Sequence, residues 1–240
     1  LILFCIGGWQ TGGAELHVYR LIKGLLTSES PYNYSILLLS KNHGLYDELD
    51  IPIYEVQTGK HLISIQTIIS ILKLRKSLKK NVTIIHSFLT EANFIAGCLK
   101  LILPKTKLVI SKRNQDSWTG IQKFYSLFAN NRSDLITVNA KSLIDWFHKE
   151  EKIPFQKMKY LPNAVKNQYI EKSKDQSRKE KIIFINVASL TPKKAQVNLL
   201  QAVKQVVKTY INIELWFIGD GPLRFELEEL TKELKINKFV

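Results

Sequence analysis

Three loops of this chain set glycine or lysine against the start of a helix, which is chemistry that holds phosphate. In "GGWQTGGAE", residues 7–15, Gly7, Gly8, Gly12 and Gly13 separate an apolar run ending near Ile6 from a helical pattern starting near Ala14. Glycines let backbone N–H groups approach a ligand closely. A helix N-terminus adds unpaired donors and a partial positive charge. The loop therefore suits a phosphate or a sugar, although its spacing is not the G-x-G-x-x-G of dinucleotide sites. The same glycines would also serve a turn that only closes the unit. In "VASLTPKKAQVNLLQAV", Lys193 and Lys194 precede a second helical pattern. Two cations there oppose the helix dipole; either a bound diphosphate offsets them or they are a solvated pair. In "FIGDGPLRFELEEL", Gly219 and Gly221 expose backbone ahead of a third helical pattern, with Pro222 as helix-start chemistry. A tight turn with no ligand fits that stretch as well.

His86 ends the apolar run "TIIHSF" and Arg113 and Asn114 follow the next run in "ISKRNQDSW". The histidine could bond sugar hydroxyls, shuttle a proton, or be a satisfied structural residue. Arg113 and Asn114, with Asp116 beyond them, could bind an anionic or hydroxyl-rich acceptor or sit in a simple exposed loop.

The elements that must position these groups alternate. "LILFCI", "SILLLS", "TIIHSF", "KLVIS", "DLITVN" and "KYLP" read as strands, with helical spacing over 13–28, 62–80, 91–103, 120–131 and 140–150. Strands alternating with helices predict an α/β fold with a parallel sheet covered on both faces, which is why its strands are continuous apolar runs. Residues 166–181 hold only Tyr169 and Ile170 as apolar residues and read as a linker. The pattern then restarts with a second strand–helix–strand–helix series. This divides the chain into an N-terminal doubly wound domain over 1–165 and the start of a second over 182–240. Two such domains bind a ligand in the cleft facing their strand C-terminal ends.

The 240 residues are 45% hydrophobic and 23% charged, a globular composition. The net charge of +14 favours anionic partners: nucleic acid, phosphorylated metabolites or an anionic membrane. The basic residues are dispersed and no nucleic-acid motif accompanies them, so nucleic acid is not the expected partner. Cys5 and Cys98 read as buried small residues in a reducing, cytoplasmic compartment, and no cysteine–histidine spacing suggests a metal. "LILFCI" is too short to cross a membrane. The chain starts and stops within apparent strands, so both ends are expected to be the ends of a fragment. Over 62–80, Ile65, Ile68, Ile69, Leu72 and Leu78 recur at helical spacing, with Lys73, Arg75, Lys76, Lys79 and Lys80 toward the C-terminal end. That is either a sheet-covering helix with a solvated face or a basic face that docks on anionic lipid, peripheral on the inner side of the cell membrane.

"GGAE", "YLPNAV", "VASLTPKKAQVNLLQA" and "LWFIGDGPLRFELEEL", in that order, resemble the GT-B retaining glycosyltransferases of family 4, enzymes of bacterial polysaccharide, lipopolysaccharide and glycolipid synthesis. The resemblance implies two Rossmann-like domains facing a cleft, the second truncated. It implies transfer of a sugar from a nucleotide diphosphate sugar to a saccharide or lipid-linked acceptor, with neither cofactor nor metal. Gly12, Gly13, Lys193, Lys194, Gly219 and Gly221 would lie at the donor diphosphate. Glu15, Arg113, Asn114 and Asn163 would lie on the acceptor side or in the cleft, and His86 would be the catalytic histidine. Four positions depart from the family pattern. Ser189 stands where an arginine is frequent. Phe88 stands where the second histidine of His-x-His usually makes the catalytic contact. Ala164 and Lys166 replace a Gly and an Asp at the junction. The family's acidic motif, two glutamates seven residues apart, is expected after residue 240, so the 240 residues alone are expected not to turn over. A non-catalytic nucleotide-sugar-binding homologue and a nucleotide-sugar epimerase of similar fold are the competing readings.

Overall fold

A computed structural model describes residues 1–7, 12–39, 44–59, 61–78, 82–115, 120–164 and 181–240. The chain divides into two units, Leu1–Gln168 and Tyr169–Val240. Gly8, Lys79, Lys80, Asp116 and nearly all of the expected linker lie outside the described residues.

The first unit is built on seven parallel strands: β1 (Ile2–Ile6), β2 (Tyr34–Leu38), β3 (Ile53–Glu55), β4 (Ile84–Phe88), β5 (Lys107–Lys112), β6 (Leu135–Val138) and β7 (Met158–Tyr160). Their order is β3-β2-β1-β4-β5-β6-β7. Helices α1 (Gly13–Leu26), α2 (Ile65–Ser77), α3 (Thr90–Ile102), α4 (Gly120–Arg132) and α5 (Ser142–Glu151) connect them, with a short 3₁₀ segment over Gly44–Leu49. Successive strand side chains point to opposite faces, and here both faces are buried. Leu3 and Cys5 of β1 join a core with Ile71 of α2, Ile95 of α3, Ala129 of α4 and Phe147 of α5. Phe4 and Ile6 join a separate core with Val18 and Ile22 of α1 and Tyr46 of the 3₁₀ segment. That double burial is the physical reason the strands lack polar alternation.

The strand β3 and the 3₁₀ segment are not foreseen by hydrophobic pattern. β3 has three residues, follows Pro52 and lies at the sheet edge, where a short partly exposed strand needs no apolar run.

One expected feature is reversed. The core-facing residues of α2 include Thr67, Ile71 and Leu74, not the Ile65-Ile68-Ile69-Leu72 stripe. Those four are 78%, 54%, 47% and 48% exposed. Both stripes have helical spacing, so periodicity alone cannot choose between them. Ser64 fixes the start of the helix by accepting a hydrogen bond from the Thr67 N–H.

The second unit pairs β8 (Ile182–Val187) with β9 (Ile213–Ile218) in parallel. Helices α6 (Gln196–Val206) and α7 (Arg224–Glu233) pack on them around Leu190, Leu200, Leu215 and Leu227.

Candidate functional site

In a doubly wound sheet, ligands bind beyond the strand C-termini where the strand order reverses. Here that point lies between β1, whose chain leaves to α1 on one face, and β4, whose chain leaves to α3 on the other. Gly12 caps α1 with extended backbone and no side-chain hydrogen bond, and its carbonyl accepts from the Leu16 N–H at 3.1 Å. A methyl group placed at Gly13 would meet no described atom within 4 Å. Packing therefore does not require that glycine, and open space lies beside the helix N-terminus. Directly across, Leu89 closes β4 at φ 74°, ψ 154°. That region is costly for any residue with a side chain, by about 1–3 kcal/mol, and such strain concentrates at functional sites.

Phe88, fully buried, is the hub of the site. The ring of His86 lies 4.4 Å from it, that of His17 5.9 Å, and the guanidinium carbon of Arg113 5.4 Å. His86 Nε2 is 3.0 Å from Ser111 Oγ, which is 2.6 Å from Thr137 Oγ1. Asn93 ties the same strand ends together. It accepts from Ser87 Oγ at 2.6 Å and donates to the Ser111 carbonyl at 3.2 Å. Burial first, and then the charges of His17 and Arg113, hold the His86 imidazole down to about 3. His86 is thus neutral at physiological pH. Its geometry suits hydrogen bonding to a hydroxyl more than the proton shuttling considered from the sequence.

His17 is a site residue that pattern reading passes over. It lies 2% exposed on the buried face of α1. The Ala164 N–H donates to its Nδ1 at 2.8 Å. Nδ1 is therefore unprotonated and the ring proton rests on Nε2. That Nε2 is buried with no hydrogen-bond partner among the described residues. Burial, then Arg113, lowers this imidazole to about 4. Arg20 also reaches the Ala164 carbonyl, at 3.4 Å, so α1 grips the residue beside exposed Asn163 through both backbone groups. The sequence signal was a histidine one turn into a helix among apolar neighbours, where a polar ring needs a reason.

Arg113 is half-buried just past β5, and its Nε is buried without a partner among the described residues. Burial pushes the guanidinium below its usual range and Glu15 opposes that. Glu15 itself is buried in the first turn of α1. Asn114 is exposed. On the other face of β5, Lys112 is held by Glu151, Ser126 (2.8 Å) and Asn130 (3.2 Å), which pins α4 and α5 under the Arg113 turn.

The second unit carries the remaining predicted residues. Lys193 and Lys194 are exposed on a 3₁₀ turn, Pro192–Lys194. Ala195 follows in the left-handed region at φ 53° before α6 begins at Gln196. The lysines thus precede the helix, as the sequence leads one to expect, on a 3₁₀ turn of their own. Gly219 and Gly221 have a packing reason. An added Cβ would stand 2.1 Å from the Ala188 carbonyl oxygen and 2.5 Å from that of Leu190, at φ 147° and 159°. The Gly221 N–H already bonds Asp220 Oδ1 at 2.8 Å. These glycines let the β9 loop lie against the β8 loop.

Six buried side-chain polar atoms lack a hydrogen-bond partner among the described residues. Only Ser35 Oγ lies at the start of a strand. Those of His17, Arg113 and Asn139 lie at the strand C-terminal edge of the first unit. Those of Asn186 and Gln196 lie at the end of β8 and the start of α6. Unmet buried polar atoms are rare and each calls for a partner. Five of the six lie at these edges, where ordered water or a polar ligand would supply the partner.

The Glycosyltransferase Family 4 model matches residues 11–168, and the Glycosyl transferases group 1 model matches residues 167–240. An uncharacterized glycosyltransferase of Methanocaldococcus jannaschii is 28% identical over 192 residues, covering 71% of this chain and 47% of that protein. The chain thus spans about half the length of that relative. Among solved structures, Anabaena HepE in complex with UDP and glucose superposes with a TM-score of 0.75 at 17% identity, covering 100% of this chain and 67% of that one. The lipopolysaccharide outer core galactosyltransferase WaaB, in its apo form, superposes with a TM-score of 0.72 at 15% identity and the same coverages. These likenesses give the fold as GT-B. With the larger part of its length matched by one family model, the chain belongs to Glycosyltransferase Family 4.

Proposed function

We propose that the protein transfers a hexosyl-type sugar from a nucleotide diphosphate sugar to a saccharide or lipid-linked acceptor, with retention, in bacterial polysaccharide or lipopolysaccharide synthesis. The observation that carries this is the clustering of unpartnered buried polar atoms at the strand C-terminal edges of both units. The family membership, and the UDP and lipopolysaccharide named for the structural relatives, support it. The work of such a protein is to stabilise charge developing on the departing diphosphate. Lys194, with Lys193, supplies cations. The α1 N-terminus at Gly12 and Gly13 supplies backbone donors, and Gly219 and Gly221 shape the turn near the nucleotide. His86 bonds a sugar hydroxyl, with His17 Nε2 as a second neutral donor. Glu15, Arg113, Asn114 and Asn163 serve the acceptor or line the ligand site. The reaction runs in the cytoplasm, peripherally to the membrane.

Release of free nucleotide in the presence of donor and acceptor tests this. Lys194→Ala should lower turnover by about 10²-fold, the scale of losing one preorganised electrostatic stabiliser. An unchanged rate refutes the assignment.

A further inference from the structure

The last described residues of the first unit, Leu161 to Ala164, leave the sheet edge and return to α1. The Leu161 N–H still donates to the Val138 carbonyl at the end of β6, at 2.8 Å. Three residues later α1 holds the chain: the Ala164 N–H donates to His17 Nδ1 at 2.8 Å, and the Ala164 carbonyl accepts from Arg20 at 3.4 Å. The His17 ring lies 5.9 Å from that of Phe88 at the end of β4. Only β5 stands between β4 and β6, so the two are about 10 Å apart, two strand spacings. Three residues cover roughly 10 Å only when extended. Pro162 favours this, because its own φ is fixed and it biases Leu161 toward extended backbone. Pro162 and Asn163 therefore run stretched past the C-terminal end of β5, where Arg113 emerges. Asn163 is exposed there, and its side chain bonds no described residue.

We propose that His17 and Arg20 are positioning residues: by gripping Ala164 they hold Asn163 over the strand ends, where its amide bonds a hydroxyl of the sugar ligand. Residues three apart on a helix share a face, so the two side chains act as one grip. The grip takes both backbone groups of Ala164, and the residue cannot slide or turn over without losing a bond. A carboxamide offers a donor and an acceptor together, which suits a hydroxyl. His17 accepts from Ala164 only while its Nδ1 carries no proton, and burial, which disfavours the imidazolium, keeps it so. The helix that starts at Gly12 and Gly13 thereby fixes a polar group delivered from the far end of the first unit. This deepens the transferase reading and rests on it only for the identity of the ligand.

The test joins amide hydrogen exchange with turnover. The Ala164 N–H should exchange slowly in the wild type. His17→Phe keeps a ring and removes the acceptor, so exchange at Ala164 should quicken by roughly tenfold, the scale of one hydrogen bond. His17→Asn keeps an acceptor and should leave that exchange slow. Arg20→Met keeps the apolar stem and removes the donor. It should lower kcat/KM for nucleotide release by roughly tenfold, as should Asn163→Ala. The two changes combined should cost no more than either alone, because they remove one contact. Losses that add would mark Arg20 as merely structural and overturn the proposal. So would an Ala164 amide that exchanges equally fast in the wild type and in His17→Phe. Circular dichroism confirms folding, and if His17→Phe does not fold, exchange at Ala164 in Arg20→Met makes the same comparison. A wild type that releases no nucleotide fails the transferase reading alone, and exchange at Ala164 then decides the grip by itself.

Discussion

Two neutral histidines at the switch point make the stability of the first unit fall in acid. His17 is lowered to about 4, by burial and then Arg113. His86 is lowered to about 3, by burial and then His17 and Arg113. In the unfolded chain each titrates near about 6.5. Between the folded and unfolded values the unfolded chain binds more protons. Stability therefore rises with pH through that window and is lost as pH falls from about 6.5 toward the folded values. Integrating the linkage to pH 5 gives a loss of about 2 kcal/mol for each histidine, about 4 kcal/mol for both. For a chain of this size that lowers the midpoint of thermal unfolding by roughly 10 °C. Urea denaturation at pH 7.5 and pH 5, followed by circular dichroism, measures it in the wild type and in His17→Asn with His86→Gln. The asparagine keeps an acceptor for the Ala164 N–H and the glutamine keeps a polar group within reach of Ser111. Carboxylates titrate in both proteins and cancel in the difference. The wild type should lose about 4 kcal/mol more than the variant. Equal losses, or imidazole proton resonances titrating near 6.5, would refute the buried neutral pair.

The glycines divide by what surrounds them. Gly221→Ala drives a methyl group against the Leu190 backbone and should destabilise the second unit by at least about 1–3 kcal/mol, read by thermal unfolding. Gly13→Ala meets nothing within 4 Å and should leave stability unchanged or raise it by about 0.4–1 kcal/mol; if the backbone there contacts diphosphate, the same variant weakens nucleotide binding in a titration. Glu151→Ala leaves the buried Lys112 ammonium without its counter-ion and should cost about 3–5 kcal/mol in urea denaturation, against less than about 0.5 kcal/mol for Glu229→Ala in the exposed pair with Lys232.

Much of the first unit was legible because its strands are buried on both faces, so continuous apolar runs mark them without ambiguity. What the sequence left hidden has particular causes. β3 is too short and too exposed to leave a pattern. α2 has apolar residues on two sides, and only packing tells which side meets the sheet. His17 became meaningful once its Nδ1 was seen to be engaged by Ala164, 147 residues away, a pairing no local pattern encodes. The same holds for Ser111 and Asn93, short polar residues in apolar surroundings that acquire a role only by facing His86 and Ser87. The lysine turn was visible in composition, but left-handed Ala195 was not, because alanine rarely adopts that backbone.

Binding of a nucleotide diphosphate at the strand C-terminal edges underlies the proposed transfer. Thermal unfolding of the protein with UDP, GDP and ADP, beside Lys194→Ala, tests it most directly. A ligand at 100 times its dissociation constant stabilises the native state by about 2.7 kcal/mol. One of the three nucleotides should raise the unfolding midpoint by several degrees, and Lys194→Ala should abolish that shift. A folded protein that none of the three stabilises would contradict it.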